Sequence, residues 1–148
     1  MDKHTINVKK RNGRGTEPLN IEKIHEMVEY ACEDIKGVSA SQVEMNSGLQ
    51  FYDGINTEDI QQILIKSAND LISLDNPNYQ YVAARLLLFS LRKNLYHRLW
   101  EHPKFIDQIK TCIKQGVYDK DILIQYTEKE IDRMGMWIVH ERDYKFTY

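Results

Sequence analysis

"NPNYQYVAARLLLFSLRKNLYHRLW", residues 76–100, decides the fold. Pro77 suits the first turn of a helix, where its missing N–H costs no bond and its fixed φ is already helical. A helix is predicted from there to about Trp100. Val82, Leu86, Phe89 and Lys93 recur along one stripe, and Tyr81, Leu88, Leu91 and Leu95 along a second. One neighbour cannot bury so wide an apolar surface, so this helix needs packing partners on several sides.

Those partners lie upstream. Asn20 is a good N-cap for a helix to about Lys36, with Ile21, Ile24, Val28, Ala31 and Ile35 at helical spacing and Met27 and Cys32 widening the stripe. Gly37 stops it. Ser41 with Glu44 suggests a capping box for a second helix carrying Val43, Met45, Leu49 and Phe51. "YDGINT" (52–57) reads as a turn, after which Thr57 caps a third helix with Ile60, Ile63, Leu64, Ala68, Leu71 and Ile72 buried. Before all of these, "TINVKK" (5–10) is a short strand, Asn12-Gly13 a hairpin turn, and "GTEPL" (15–19) the returning strand, with Pro18 confining it to an edge. The expected architecture is mainly α (α+β). It is a four-helix bundle capped by a small β-sheet or hairpin over residues 1–101, followed by short helices over 102–148. In that second part "KFIDQIKTCIKQG" (104–116) and "YDKDILIQY" (118–126) are short helices, and Thr127 with Glu130 forms a capping box for another. "HERDYKFTY" (140–148) is aromatic and strand-like, and without a closing cap it reads as a cut end.

The chain has 148 residues, a formal net charge of -2 and two cysteines. That length suits one domain with a short appendage, and the charge does not suggest nucleic-acid binding. Cys32 and Cys112 make neither a CxxC nor a zinc set, and they fit a reducing cytoplasm. No window is long and apolar enough to cross a membrane, and the polar start carries no signal segment. His4, His25, His97, His102 and His140 are scattered without metal spacing. No phosphate-binding GxxxxGK and no serine-elbow motif occurs.

Cations cluster instead at Lys9, Lys10, Arg11 and Arg14, and again at Arg92, Lys93 and Arg98. Lys10 and Arg11 suit a polyphosphate, although neighbouring strand positions point to opposite faces and one cation would reach under the hairpin while the other works from its rim. An ordinary solvated edge strand explains the same residues. Lys93 follows Phe89 by one helical turn. It either snorkels or brings a cation over an aromatic floor. Glu17 can accept from an exocyclic amino group. Asn20 reads first as a cap, and Lys23 and Ile24 stand on a helical first turn whose amides suit phosphate.

"VKKRNG" (8–13), "EPLNIEKIHEMVEYA" (17–31), "QFYDGINTEDIQQILIKSANDLIS" (50–73) and "PNYQYVAARLLLFSLRKNLY" (77–96) together resemble the ATP-cone. This is the nucleotide-sensing domain at the N-terminus of class I ribonucleotide reductase large (alpha) chains. "YTEKEID" (126–132) and "HERDYKFTY" resemble the segment leading from the cone into the catalytic barrel. The resemblance implies a four-helix bundle under a three-stranded sheet that binds ATP or dATP with magnesium. It implies an allosteric, non-catalytic role in the reductase, where ATP favours active assembly with the radical-generating small (beta) subunit and dATP an inhibited, self-associated form. Carried over, Val8, Lys10 and Arg11 belong to the lid, with Lys10 and Arg11 on phosphates. Glu17 and Asn20 read adenine, Lys23 and Ile24 contact from the first helix, and Thr57 and Ile60 from the third. Phe89 is the floor and Lys93 a further phosphate contact. Gln61 and Ser90 stand where the best-known members have histidines, Gln61's near the nucleotide sugar, and the loop "NGRGTEP" is one residue longer. Three rival readings are an ATP-cone transcriptional regulator, which would carry a zinc ribbon before its cone, a helical interaction module without a ligand, and an anaerobic or adenosylcobalamin-dependent reductase, against which "HERDYKFTY" favours class I.

Overall fold

The computed structural model describes residues 6–13, 15–48, 50–97 and 101–148, with Asn12 described by its backbone alone. His4, Arg14, Leu49, Arg98 and Trp100 lie outside the described residues. Two compact units are present, Met1–Leu91 with Asp143–Tyr148, and Arg92–Arg142.

The first unit opens on a three-stranded sheet of β1 (Asn7–Lys9), β2 (Thr16–Pro18) and β3 (Ile55–Asn56), in the order β2-β1-β3. The hairpin pairs Val8 with Glu17 and Lys9 with Thr16. Pro18 is on an edge strand, as its missing N–H requires. The hairpin turn expected at Asn12-Gly13 is present as a 3-10 turn, Arg11–Gly13, closed by Lys10 N–H donating to the Gly15 carbonyl (2.9 Å). β3 lies within the stretch read as a turn. Asn7 N–H donates to Asp53 Oδ1 (2.8 Å) and Gly54 N–H donates to the Asn7 carbonyl (2.8 Å). These bonds draw the fully buried Ile55 alongside Val8 in parallel register. Two residues are too few to show a period in the sequence.

Four helices follow: α1 (Ile21–Cys32), α2 (Ala40–Gly48), α3 (Thr57–Asp70) and α4 (Tyr79–Tyr96). Asn20 caps α1 by accepting Lys23 N–H (3.1 Å). The core-facing stripe is Ile24, Met27, Val28 and Ala31, whereas Ile21 is 71% exposed. α1 stops short of Lys36 because Glu33 leaves helical geometry and Asp34 turns left-handed (φ 58°), and Arg85, on α4, satisfies the helix end by donating to the carbonyls of Ala31 (3.3 Å) and Glu33 (2.6 Å). The cap of α2 comes from Ser39, whose Oγ accepts Gln42 N–H (3.4 Å), and not from a Ser41–Glu44 box. Thr57 is the first residue of α3 and Asn56 its N-cap. α4 begins at Tyr79, just after Pro77. Its stripe of Val82, Leu86 and Phe89 is buried, while Leu91 and Leu95 of the second stripe are exposed.

Glu44 is used elsewhere. His25 joins α1 to α2, with Nδ1 2.8 Å from Glu44 Oε1 and Nε2 3.2 Å from Glu29 Oε1. The hydrogen bond and charge of Glu44 hold the imidazole above its usual 6.5, and Glu29 and Glu26 add to this. Only the imidazolium donates at both ring nitrogens. Because the folded value is raised, the stabilisation is complete below 6.5 and is lost as pH rises through the folded value. Unfolding midpoints of the wild type are expected to fall as pH is raised through this range. A Glu44→Gln variant followed by circular dichroism should show a shallower slope there. An unchanged slope would remove the His25 bridge from the account.

In the second unit, α5 (Phe105–Lys114), α6 (Ile122–Gln125) and α7 (Glu128–Gly135) surround Ile106, Ile109 and Ile131, with Phe105, Ile113 and Ile122 packed against them. The Thr127 capping box forms as expected. Thr127 Oγ1 accepts Glu130 N–H (3.4 Å), and Glu130 Oε2 accepts Thr127 N–H (2.8 Å). A Cβ on Gly135 would lie 2.6 Å from Phe105 Cβ, so glycine here allows α7 to approach α5. Gly135→Ala is expected to cost about 1–3 kcal/mol through overpacking, read as earlier urea unfolding of this unit. The strand expected over 140–148 is instead a 3-10 turn, His140–Lys145. Tyr144 lies under the Arg85 guanidinium (5.1 Å to the ring centroid), and Tyr148 N–H donates to the Gln80 carbonyl (3.2 Å). Among the described residues no helix is long and apolar enough to cross a membrane.

Candidate functional site

The parallel pairing of β1 with β3 has a chemical consequence. It brings the start of α3 beside the basic hairpin. Between them is a cavity of about 440 Å³. Lys9, Lys10, Arg11 and Thr16 form one wall, and the loop backbone at Gly13 (φ 67°) and Gly15 (φ 102°) completes it. Both glycines adopt left-handed conformations that side chains resist. Asn56, Glu58 and Asp59 form the facing wall. Asn56 Nδ2 donates to Asp59 Oδ2 (2.9 Å) and makes no side-chain cap bond to α3. Three cations thus share a cavity with two carboxylates at a helix N-terminus, a setting for an anion that carries its own divalent cation.

Two of the three cations are already engaged. Lys10 Nζ is 2.7 Å from Glu17 Oε2, and Arg11 Nη2 donates to Ser90 Oγ (3.5 Å) on α4. Of the twelve residues expected to bind nucleotide, Lys10 and Arg11 line the cavity. Glu17 is half-buried and tied to Lys10. Asn20 spends its side-chain oxygen on the α1 cap, and Lys23 is exposed on the first turn. Thr57 is half-buried at the start of α3. Val8, Ile24 and Ile60 turn into the core. Gln61 is 3% exposed, and its Nε2 donates to the Leu86 carbonyl (3.0 Å), tying α3 to α4. Phe89 is fully enclosed, its ring tilted at 51° against Tyr30 with centroids 5.7 Å apart. Lys93 is half-buried one turn further along α4, in the part belonging to the second unit. Lys9, Thr16, Asn56, Glu58 and Asp59 join the cavity wall without having been singled out from the sequence as site residues. Glu58 and Asp59 are first-turn acids of α3, where they complement the helix dipole.

Residues 6–94 match the ATP cone domain family. The chain belongs to the ATP-cone family. Beyond the cone, similarity extends over nearly the whole chain to curated proteins. The alpha subunit of ribonucleoside-diphosphate reductase 1 from Escherichia coli (strain K12) is 48% identical over 141 residues, covering 95% of this chain and 18% of that protein. The ribonucleoside-diphosphate reductase alpha subunit of Enterobacteria phage T4 is 41% identical over 145 residues, covering 97% of this chain and 19% of that protein. The corresponding Helicobacter pylori subunit is 40% identical over 144 residues, covering 97% and 18%. The chain spans about a fifth of the length of the curated relatives it matches. A cone is mainly helical with a small sheet, as found here. Here the basic hairpin and the start of α3 face each other across the cavity.

Proposed function

We propose that residues 1–101 form the ATP- and dATP-sensing regulatory domain of a ribonucleoside-diphosphate reductase large subunit. Residues 102–148 connect it to the catalytic part. The parent reduces ribonucleotides to deoxyribonucleotides for DNA synthesis in the cytoplasm, and no chemical step is assigned to this segment. The carrying observation is the cavity in which Lys9, Lys10 and Arg11 face the start of α3. Lys10 and Arg11 hold phosphates. Glu17 and Asn20 address the adenine edge. Val8 belongs to the lid, Lys23 and Ile24 contact the nucleotide from α1, Thr57 and Ile60 from the start of α3, Gln61 lies on the sugar side, and Phe89 is the floor. Magnesium arrives on the phosphates. Glu58 and Asp59 favour its presence, because a bare polyphosphate would be repelled by their carboxylates.

Nucleotide binding then biases contact with the catalytic part, with the radical-generating small (beta) subunit, or with a second large subunit. The energy comes from contacts that differ between ATP- and dATP-bound states. Calorimetry with ATP, dATP and GTP, each with magnesium, combined with light scattering, tests this reading. Binding of both adenine nucleotides but not GTP is expected, with a larger assembly under dATP. A folded sample that binds none of them would overturn it.

A further inference from the structure

The histidines are scattered in the sequence without metal spacing, yet the fold of the second unit brings two of them together. His102 precedes α5, and His140 opens the 3-10 turn after α7. Their rings stack with centroids 3.6 Å apart and planes 13° from parallel. Their ligating nitrogens lie within 4.8 Å of each other. His102 is held on two further sides. Pro103 steers the backbone before it away from the helical region, and the Tyr96 ring meets the imidazole in an edge arrangement, with centroids 6.5 Å apart. A ring fixed in this way has less freedom to lose when it takes up a ligand.

A neutral imidazole presents one ring nitrogen as a lone-pair donor and is the commonest side-chain ligand of transition metals. Stacked rings aim those lone pairs side by side. A tetrahedral ion holds two imidazole nitrogens about 3.3 Å apart, so a modest splaying of the stack delivers both to one ion. We infer that His102 and His140 form a two-histidine site for a first-row divalent transition-metal ion such as zinc, its other positions filled by water or a carboxylate. Magnesium does not suit it, because that ion takes oxygen ligands. The site is therefore distinct in chemistry from one that receives magnesium on phosphates, and its residues play no part in the proposed nucleotide site. The bound ion ties the segment before α5 to the turn after α7, both within the second unit, and stabilises that unit by mass action.

Calorimetry of the nucleotide-free 148-residue chain with zinc chloride tests the site. His102→Gln, His140→Gln and the double variant are measured beside the wild type. Glutamine keeps much of the side-chain volume but brings no imidazole, and circular dichroism checks that each variant folds. His25→Gln is the control, since that ring is engaged by Glu44 and Glu29. One zinc per chain is expected. Either single change should weaken binding at least about tenfold, because even groups that only support a metal ligand contribute about 10–100-fold. The double variant should lose little more than either single one, since one remaining histidine is no chelate. His25→Gln should bind as the wild type does. Zinc should raise the thermal midpoint of the wild type and not that of the double variant. A folded wild type that takes up no zinc overturns the site. So does near-normal zinc affinity in either folded single variant, which would assign the ion to other groups.

Discussion

Arg11→Ala weakens binding of magnesium-ATP by about ten- to a hundredfold. Hydrogen bonds to charged groups contribute about 1.5–3 kcal/mol, and each tenfold in affinity corresponds to about 1.4 kcal/mol. Arg11 meets the conditions for the upper part of that range. It lines the cavity, is half-buried, and its guanidinium is already steered toward α4 by Ser90 Oγ. Less rotamer freedom therefore remains to be lost when phosphate arrives. Arg11→Lys keeps the charge but not the planar fork, and should recover only part of the affinity. Lys66→Ala removes a cation from the exposed side of α3, about two turns beyond Asp59, and should leave binding unchanged. Equal losses for Arg11→Ala and Lys66→Ala would reduce the cavity to a general charge effect.

The helices were legible because their information is local and periodic. Asn20 with Ile24, Val28 and Ala31, and Thr127 with Glu130, announce a start and a buried face within a few residues. What failed depends on distant partners. α1 ends at a left-handed Asp34, and the carbonyls left there are met by Arg85, far along the chain. Glu44 is well spaced for a capping box with Ser41, yet it faces His25. Leu91 and Leu95 keep helical spacing but remain exposed, since a stripe declares only that it could be covered.

The site divides in the same way. Lys10 and Arg11 were legible as a local concentration of charge. The facing wall of Asn56, Glu58 and Asp59 was not, because the parallel β1–β3 pairing that delivers it rests on two residues of β3. Gln61 shows the limit of carrying a role by position. A buried amide on a helix has a choice of partners, and here its donor is engaged by the Leu86 carbonyl.

Phe89→Ala should cost about 3–5 kcal/mol of stability, a large part of the about 5–15 kcal/mol typical of a domain. The ring is fully enclosed, so its removal leaves a cavity rather than an exposed edge, and the tilted contact with Tyr30 on α1 is lost with it. The consequence reaches the site through the backbone. Ser90, the next residue, accepts from Arg11, and Leu86, about one turn earlier, accepts from Gln61. Collapse of α4 into the vacated space would move both acceptors, loosening the loop above and the tie to α3. Phe89→Leu, which fills more of the space, should cost less and leave a folded chain. Urea unfolding gives the stability, and calorimetry on Phe89→Leu gives the nucleotide affinity. A nearly normal affinity makes Phe89 a support buried beneath the site. A tenfold loss in a variant that stays fully folded would mean that the ring's packing is transmitted to the site through Ser90 and Leu86.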